Sequence, residues 1–349
     1  MGGYVMAQKA QPVLVAVATV SLIAGLLWIA VARTAGQQPE LVAVKVTTPP
    51  VIDGAVDAVW NQAKPITIRV TGGANQGSHD VVLRAIYTTD SVYFLAQWND
   101  QTESLRRFPW EKQADGSWKQ LKTSTEHDEN TYYEDKFAVM WNNNISGFEQ
   151  SGCFATCHAG EKPAGSAYGN KYTPNPGEWG DIWHWKAVRT NPVGYIDDQY
   201  VDSARYDKDK APEAGRHSDP KTGGGYTDNK TADGKLPAFA LPGNKPAPPF
   251  WILDAEKTPF DNSKYKAGDQ VPGIIVAPFA GDRGDIRAKG VYANGQWSLE
   301  WGRKLTTPGE KDVQFKDLSK AYAFGIAVFD NAQVRHSFQM GVARMVFQR

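Results

Sequence analysis

The stretch Ile286-Arg287-Ala288-Lys289-Gly290-Val291-Tyr292-Ala293-Asn294-Gly295-Gln296-Trp297-Ser298-Leu299-Glu300-Trp301 decides the fold. Two β-rich runs, 286–292 and 297–301, flank residues 293–296. Asn-Gly between such runs is the strongest short hairpin signal, because both residues tolerate the positive φ of a tight turn. The same grammar recurs along the chain. Residues 81–87 and 92–98 form a second pair of runs, joined by Thr88-Thr89-Asp90-Ser91. Further runs at 42–48, 66–70, 137–141, 322–329 and 342–347 complete a series of short, regularly punctuated strands. Outside the N-terminus, no long stretch repeats its apolar residues at helical spacing. The expected fold is mostly β, an antiparallel sandwich or barrel. The many aromatic residues, 12 Trp, 14 Tyr and 14 Phe, suit pleated surfaces and equally the walls of a flat cofactor pocket.

Two regions stand apart from this pattern. Residues from about 159 to 273 are rich in Gly, Pro, Lys and Asp, with a proline-dense segment at 242–249. They read as long loop insertions covering one end of the sandwich, and loops of that length are usually functional. At the N-terminus, residues 13–32 are almost wholly apolar and uncharged, between Lys9 and Arg33. A run of about 20 residues spans a bilayer as a helix and exceeds the apolar core of a signal peptide. The expected organisation is an N-terminal membrane anchor over 1–36, with one transmembrane helix, and a β-sandwich domain over 37–349. The expected location is the inner (cytoplasmic) membrane, single-pass, with the domain in the periplasm or on the outer face. The 38 basic and 38 acidic side chains balance, so no nucleic-acid partner is expected, since that needs a basic face.

The chemistry concentrates in Ser151-Gly152-Cys153-Phe154-Ala155-Thr156-Cys157-His158. The usual motif for covalent haem attachment is C-x-x-C-H, in which two thiols bond the vinyl groups and the adjacent His reaches the iron. Here the spacing is C-x-x-x-C-H, one residue longer. A disulfide between Cys153 and Cys157 would close a very small loop and leave His158 without a role. A zinc site would need a second pair of ligands at finger spacing. A catalytic Cys with its His would not need the second thiol. One haem c, covalent through Cys153 and Cys157 with His158 on the iron, is the leading reading.

An electron carrier keeps a second axial ligand on its iron, because an open position invites other ligands. The candidates are His336, Met340, His184, Met140 and Lys304, with His336 preferred and Met340 the alternative. The segment Asp181-Ile182-Trp183-His184-Trp185-Lys186 is expected at the haem edge, with Trp183 and His184 lining it and Lys186 meeting a propionate. The expected function is a membrane-anchored monohaem c-type cytochrome that exchanges electrons with a redox protein partner or complex subunits. It is read as an electron-transfer protein, not an enzyme in its own right. The alternatives are a haem enzyme or sensor with an open sixth position, and a non-haem ligand-binding sandwich.

With those residues in view, the chain resembles the ethylbenzene dehydrogenase-type haem-binding domain, found as the γ subunit of dimethyl-sulfoxide-reductase-family molybdoenzymes. The resemblance is carried by Ile52-Asp53-Gly54 with Trp60, then 93–98, 135–141, 181–187, 271–276 with Gly284-Asp285, 295–305 and 323–330. It implies a β-sandwich with the haem at one end, serving a partner as haem subunit of a molybdoenzyme or respiratory complex. Relatives hold non-covalent haem b between a Met and a Lys. The resemblance implies that His158 stands in place of that Met, that the thiols make the haem covalent, and that the second donor falls near residues 335–340, with His336 the best donor there.

Overall fold

The computed structural model describes Met1 and residues 38–75, 77–123, 127–156 and 171–349, and Gln38–Arg349 forms one compact unit. Thirteen strands share its main sheet. In chain order they are β1 Glu40–Lys45, β2 Ile66–Thr71, β3 Ser78–Tyr87, β4 Ser91–Asn99, β5 Lys136–Asn142, β6 Gly180–Lys186, β7 Asp197–Val201, β8 Arg216–Ser218, β9 Arg287–Ala293, β10 Gln296–Lys304, β11 Tyr322–Phe329, β12 Ser337–Gln339 and β13 Ala343–Phe347. The decisive stretch is the β9–β10 hairpin, in register from Arg287↔Gly302 to Ala293↔Gln296. Asn294 and Gly295 turn it at φ 52° and 74°.

One arm of the sheet runs β8-β7-β6-β5-β11, the other β2-β3-β4-β10-β9, and β12 joins β11 to β2. A second route closes through β1 and β13. There β1 runs parallel to both β13 and β3, while all other pairings of this sheet are antiparallel. The arms face each other across an aromatic core. Trp98 of β4 stacks on Phe137 of β5 at 5.3 Å, and Phe94 stacks on Trp301 at 5.2 Å while meeting Trp183 edge-on at 5.7 Å. Trp185 meets Trp98 and Trp297 at 6.1 and 4.9 Å. The architecture is sandwich-like, as the alternation of apolar residues predicts.

Three strands of the first arm are buried on both faces. Because side chains alternate across a strand, Phe137, Val139 and Trp141 of β5 point into the core with Trp183 and Trp185 of β6 and Phe324, Ile326 and Val328 of β11. Lys136, Ala138 and Met140, then Ile182, His184 and Lys186, then Gly325, Ala327 and Phe329 fall on the opposite face. That face is covered, and the cover encloses a cavity.

Two expectations need correction. The region 159–273 is not loop alone. It supplies β6, β7 and β8 to the main sheet and also the strand Gly223–Asp228, which pairs with Ile274–Ala280 in a smaller sheet. The expected single-pass inner-membrane location is likewise not upheld. No helix among the described residues is long and apolar enough to cross a membrane, and residues 13–32 lie outside them.

Candidate functional site

The cavity has a volume of about 340 Å³ and lies against the outer face of β5, β6 and β11. The resemblance put the site at one end of the sandwich; the cavity instead uses a sheet face. Its floor is Ala138, Met140, Ile182, Gly325, Ala327 and Phe329, and its walls include Cys153, His184, His336 and Phe338. A volume in this range is typical of small-molecule and cofactor sites.

Cys153 is carried there by local geometry. β5 ends in the one-turn helix Phe148–Ser151, followed by the 3₁₀ turn Gly152–Ala155. Gly152, at φ 56°, presses so closely on the chain that a Cβ would lie 2.1 Å from the Gly341 carbonyl oxygen. This turn aims Cys153 at β11, where Gly325 has no side chain. A Cβ on Gly325 would stand 2.7 Å from the Cys153 sulfur. The next residue, Phe154, packs edge-on against Phe338 at 5.3 Å. Cys157 and His158 lie outside the described residues.

Two imidazoles reach the cavity from different elements. His336 precedes β12, and its Nδ1 is 3.0 Å from the Val334 carbonyl oxygen. An N–H at Nδ1 donating to that carbonyl directs Nε2 elsewhere, as in many ligating histidines. The His336 ring lies 4.7 Å from Phe329. His184 of β6 stacks on the same Phe329 at 5.3 Å and is 8% exposed. Its Nε2 is buried with no hydrogen-bond partner, an arrangement that costs about 1–3 kcal/mol unless something binds there. Burial, reinforced by Lys186 and Lys136, holds the imidazolium form well below its usual pKa. His184 is therefore a neutral donor, the form a metal requires.

Cations frame the rest of the cavity. Lys136, Lys186, Arg189 and Arg216 all line it, with Arg107 and Lys171. Lys136 donates to the Gln333 carbonyl at 2.9 Å and sits 3.9 Å from the Phe329 ring centroid; burial, then the charge of Arg189, pushes its pKa far down. Lys186 is ion-paired with Asp197, which also bonds Arg283 and accepts from the Tyr226 hydroxyl at 2.9 Å. Burial lowers Lys186 to about 7 against the pull of Asp197. Arg189 is paired with Glu134, and Arg216 with Glu213 at 2.7 Å. The result is a pocket with an apolar floor and a rim of basic side chains, of which Lys186, Arg189 and Arg216 are each paired with a carboxylate.

The sequence-predicted residues divide cleanly. Cys153, His184, Lys186 and His336 converge on the cavity, as does Met140. Trp183 does not: strand alternation turns it into the aromatic core, where its Nε1 donates to Asp181 at 3.0 Å. Met340 is 69% exposed and outside the cavity lining. Lys304 is exposed and paired with Asp90. His79 is buried, with Nδ1 2.8 Å from the Asn99 carbonyl oxygen. Lys136, Arg189, Arg216 and Tyr226 were not anticipated. Lys136 had a visible signal, the last of three charges before the apolar run 137–141, whereas Arg189 lies in a turn and Arg216 and Tyr226 in short polar strands.

The profile of the ethylbenzene dehydrogenase family matches residues 57–341, which cover every element of the cavity from Arg107 to Phe338. The chain belongs to the ethylbenzene dehydrogenase family. It is a haem-associated family whose members serve as subunits of molybdoenzyme complexes. No curated protein matches the chain. Among solved structures, a family 9 carbohydrate-binding module from Caldicellulosiruptor kristjanssonii in complex with glucose is 12% identical, over 89% of this chain and 96% of that one, with a TM-score of 0.34. The same module in complex with cellotriose is 12% identical, over 89% and 95%, with a TM-score of 0.33.

Proposed function

We propose that this chain is a monohaem c-type cytochrome that passes electrons to or from a redox partner, as the haem subunit of an oxidoreductase complex. The observation that carries the reading is the convergence of Cys153, His184 and His336 on one cavity with an apolar floor and a cationic rim. The residues fit the group. The gap at Gly325 lets the Cys153 sulfur reach the sheet at the cavity, and a buried imidazole nitrogen lacks a partner.

A haem bound here supplies a one-electron iron couple whose potential the axial ligands tune. Cys153 and Cys157 would hold it through thioethers, and His158 would donate to the iron. His336, oriented by its bond to the Val334 carbonyl, would give the second donor. Lys186 and Arg216 would receive the propionates, while Ile182, Ala327 and Phe329 would exclude water. The chain needs no general acid or base for this task; its work is to keep the iron saturated and its environment fixed.

The test is the coordination state of the purified full chain. Both redox states are expected to be six-coordinate and low-spin, with no ready uptake of CO. His336→Ala is expected to turn the spectrum high-spin. A wild-type iron that is high-spin and takes CO readily contradicts the carrier reading and favours an open-site haem protein. A low-spin spectrum that survives His336→Ala but not His184→Ala moves the donor to His184.

A further inference from the structure

Behind β7, on the side away from the cavity, carboxylates gather from four segments. Asp198 lies in β7, Asp219 follows β8, Asp282 opens the 3₁₀ turn Asp282–Gly284 and Asp285 follows it, and Asp312 lies in the loop after β10. Single oxygens of Asp198, Asp285 and Asp312 all fall within 4.8 Å of one another, and so do those of Asp219, Asp282 and Asp312. Asp181 of β6 adjoins them. Arg303 reaches Asp181 and Asp312 at 3.4 and 3.5 Å, one guanidinium against six carboxylates.

The second observation is the state of the oxygens. Asp198 Oδ2, Asp219 Oδ1 and Asp312 Oδ1 belong to side chains more than nine-tenths buried, and none has a hydrogen-bond partner. Asp282 Oδ1 and both oxygens of Asp285 are likewise unpartnered. Two of the other oxygens are used: Asp198 Oδ1 accepts from the Gln199 N–H at 3.0 Å, and Asp312 Oδ2 accepts from Thr307. Asp198 and Asp312 are thus each held through one oxygen while the other is left without a hydrogen bond. Buried unpaired charges of one sign are very costly. Protons or a cation must offset them.

We propose that Asp198, Asp219, Asp282, Asp285 and Asp312 bind calcium. Calcium takes six to eight oxygen ligands at about 2.3–2.6 Å, so oxygens on opposite sides of the ion stand about 5 Å apart, and the oxygens of each trio, which share Asp312, are close enough together to meet on one ion. Magnesium prefers to keep several waters and an ideal octahedron, which a cage so dense in protein carboxylates does not offer. Asp282 and Asp285 are partly exposed and give the ion a way in. The site also has a consequence for the cavity. Arg283, between the two turn ligands, reaches across β7 to Asp197, which pairs with Lys186. An ion that fixes the turn also fixes that chain of contacts. The proposal stands independently of the haem reading.

The experiment uses the purified full chain, stripped with EDTA and desalted, then titrated with CaCl₂ by calorimetry and followed by thermal melting. At least one calcium per chain should bind, raising the melting temperature more than the same concentration of MgCl₂. Asp285→Asn should weaken calcium binding at least tenfold. It should melt at or above the wild type in EDTA, where it relieves repulsion, and below it in calcium. That change of sign is not expected of a merely structural residue. Wild-type chain that binds no calcium and melts alike in EDTA and calcium overturns the proposal, whether or not the variant folds. An Asp285→Asn variant with wild-type calcium affinity overturns it as well.

Discussion

The cysteine turn shows how single residues set the geometry. The motif was legible as chemistry, but what lets Cys153 reach the sheet is a pair of glycines that no motif marks. Gly152 permits the close approach to Gly341, and Gly325 leaves the space the sulfur fills. Gly325→Val is expected to push the sulfur aside and lower the yield of covalent haem severalfold while the far-ultraviolet dichroism of the sheet stays unchanged. Undiminished haem attachment in that variant would place the thioether elsewhere. The misreading of Trp183 belongs to the same scale. In Asp181-Ile182-Trp183-His184-Trp185-Lys186 the period of two separates Trp183 from His184 and Lys186, and that signal was present in the sequence. The burial of His79 was not legible, because its partner is a backbone carbonyl on the neighbouring strand.

Among the elements, the hairpins were legible and the insertion was not. Asn294-Gly295 and Thr88-Thr89-Asp90-Ser91 each join strands paired as expected. β6 and β8 escaped notice for different reasons. β8 is three polar residues, held by pairing with β7. β6 is buried on both faces, so its alternation is not apolar against polar but aromatic core against functional cavity. That double duty makes β6 the element on which fold and site depend together. Trp185 meets Trp98 and Trp297 and fills the space over Gly290, where a Cβ would stand 2.4 Å from its ring. Trp185→Ala should cost about 3–5 kcal/mol in denaturant unfolding, as for other large-to-small core changes. A loss below about 1 kcal/mol would mean that the two arms do not depend on this contact.

At the scale of the molecule, a sheet folded back on itself uses its inner face for stability and one stretch of its outer face for a site. The inner face holds the tryptophans. The outer face of β5, β6 and β11 holds His184 and the cationic rim, roofed by the cysteine turn and by the segment from Gln333 to Phe338. The sequence alone suggested a sandwich, but hydrophobic patterning reveals strands and not which face a long insertion covers, and the family resemblance implied a site at one end. The expected membrane-bound location found no support in the described residues. Membership of a haem-associated family and a cavity of this chemistry support a bound haem, and the central claim of the proposal is that this haem is bonded through Cys153 and Cys157. The most direct measurement is the intact mass of the denatured full chain, produced with a cytochrome c maturation system and compared with its Cys153→Ala/Cys157→Ala variant. Beyond the mass of the substituted side chains, the wild type should be heavier by one haem. Equal masses after that allowance, with any haem released on denaturation, would contradict the account.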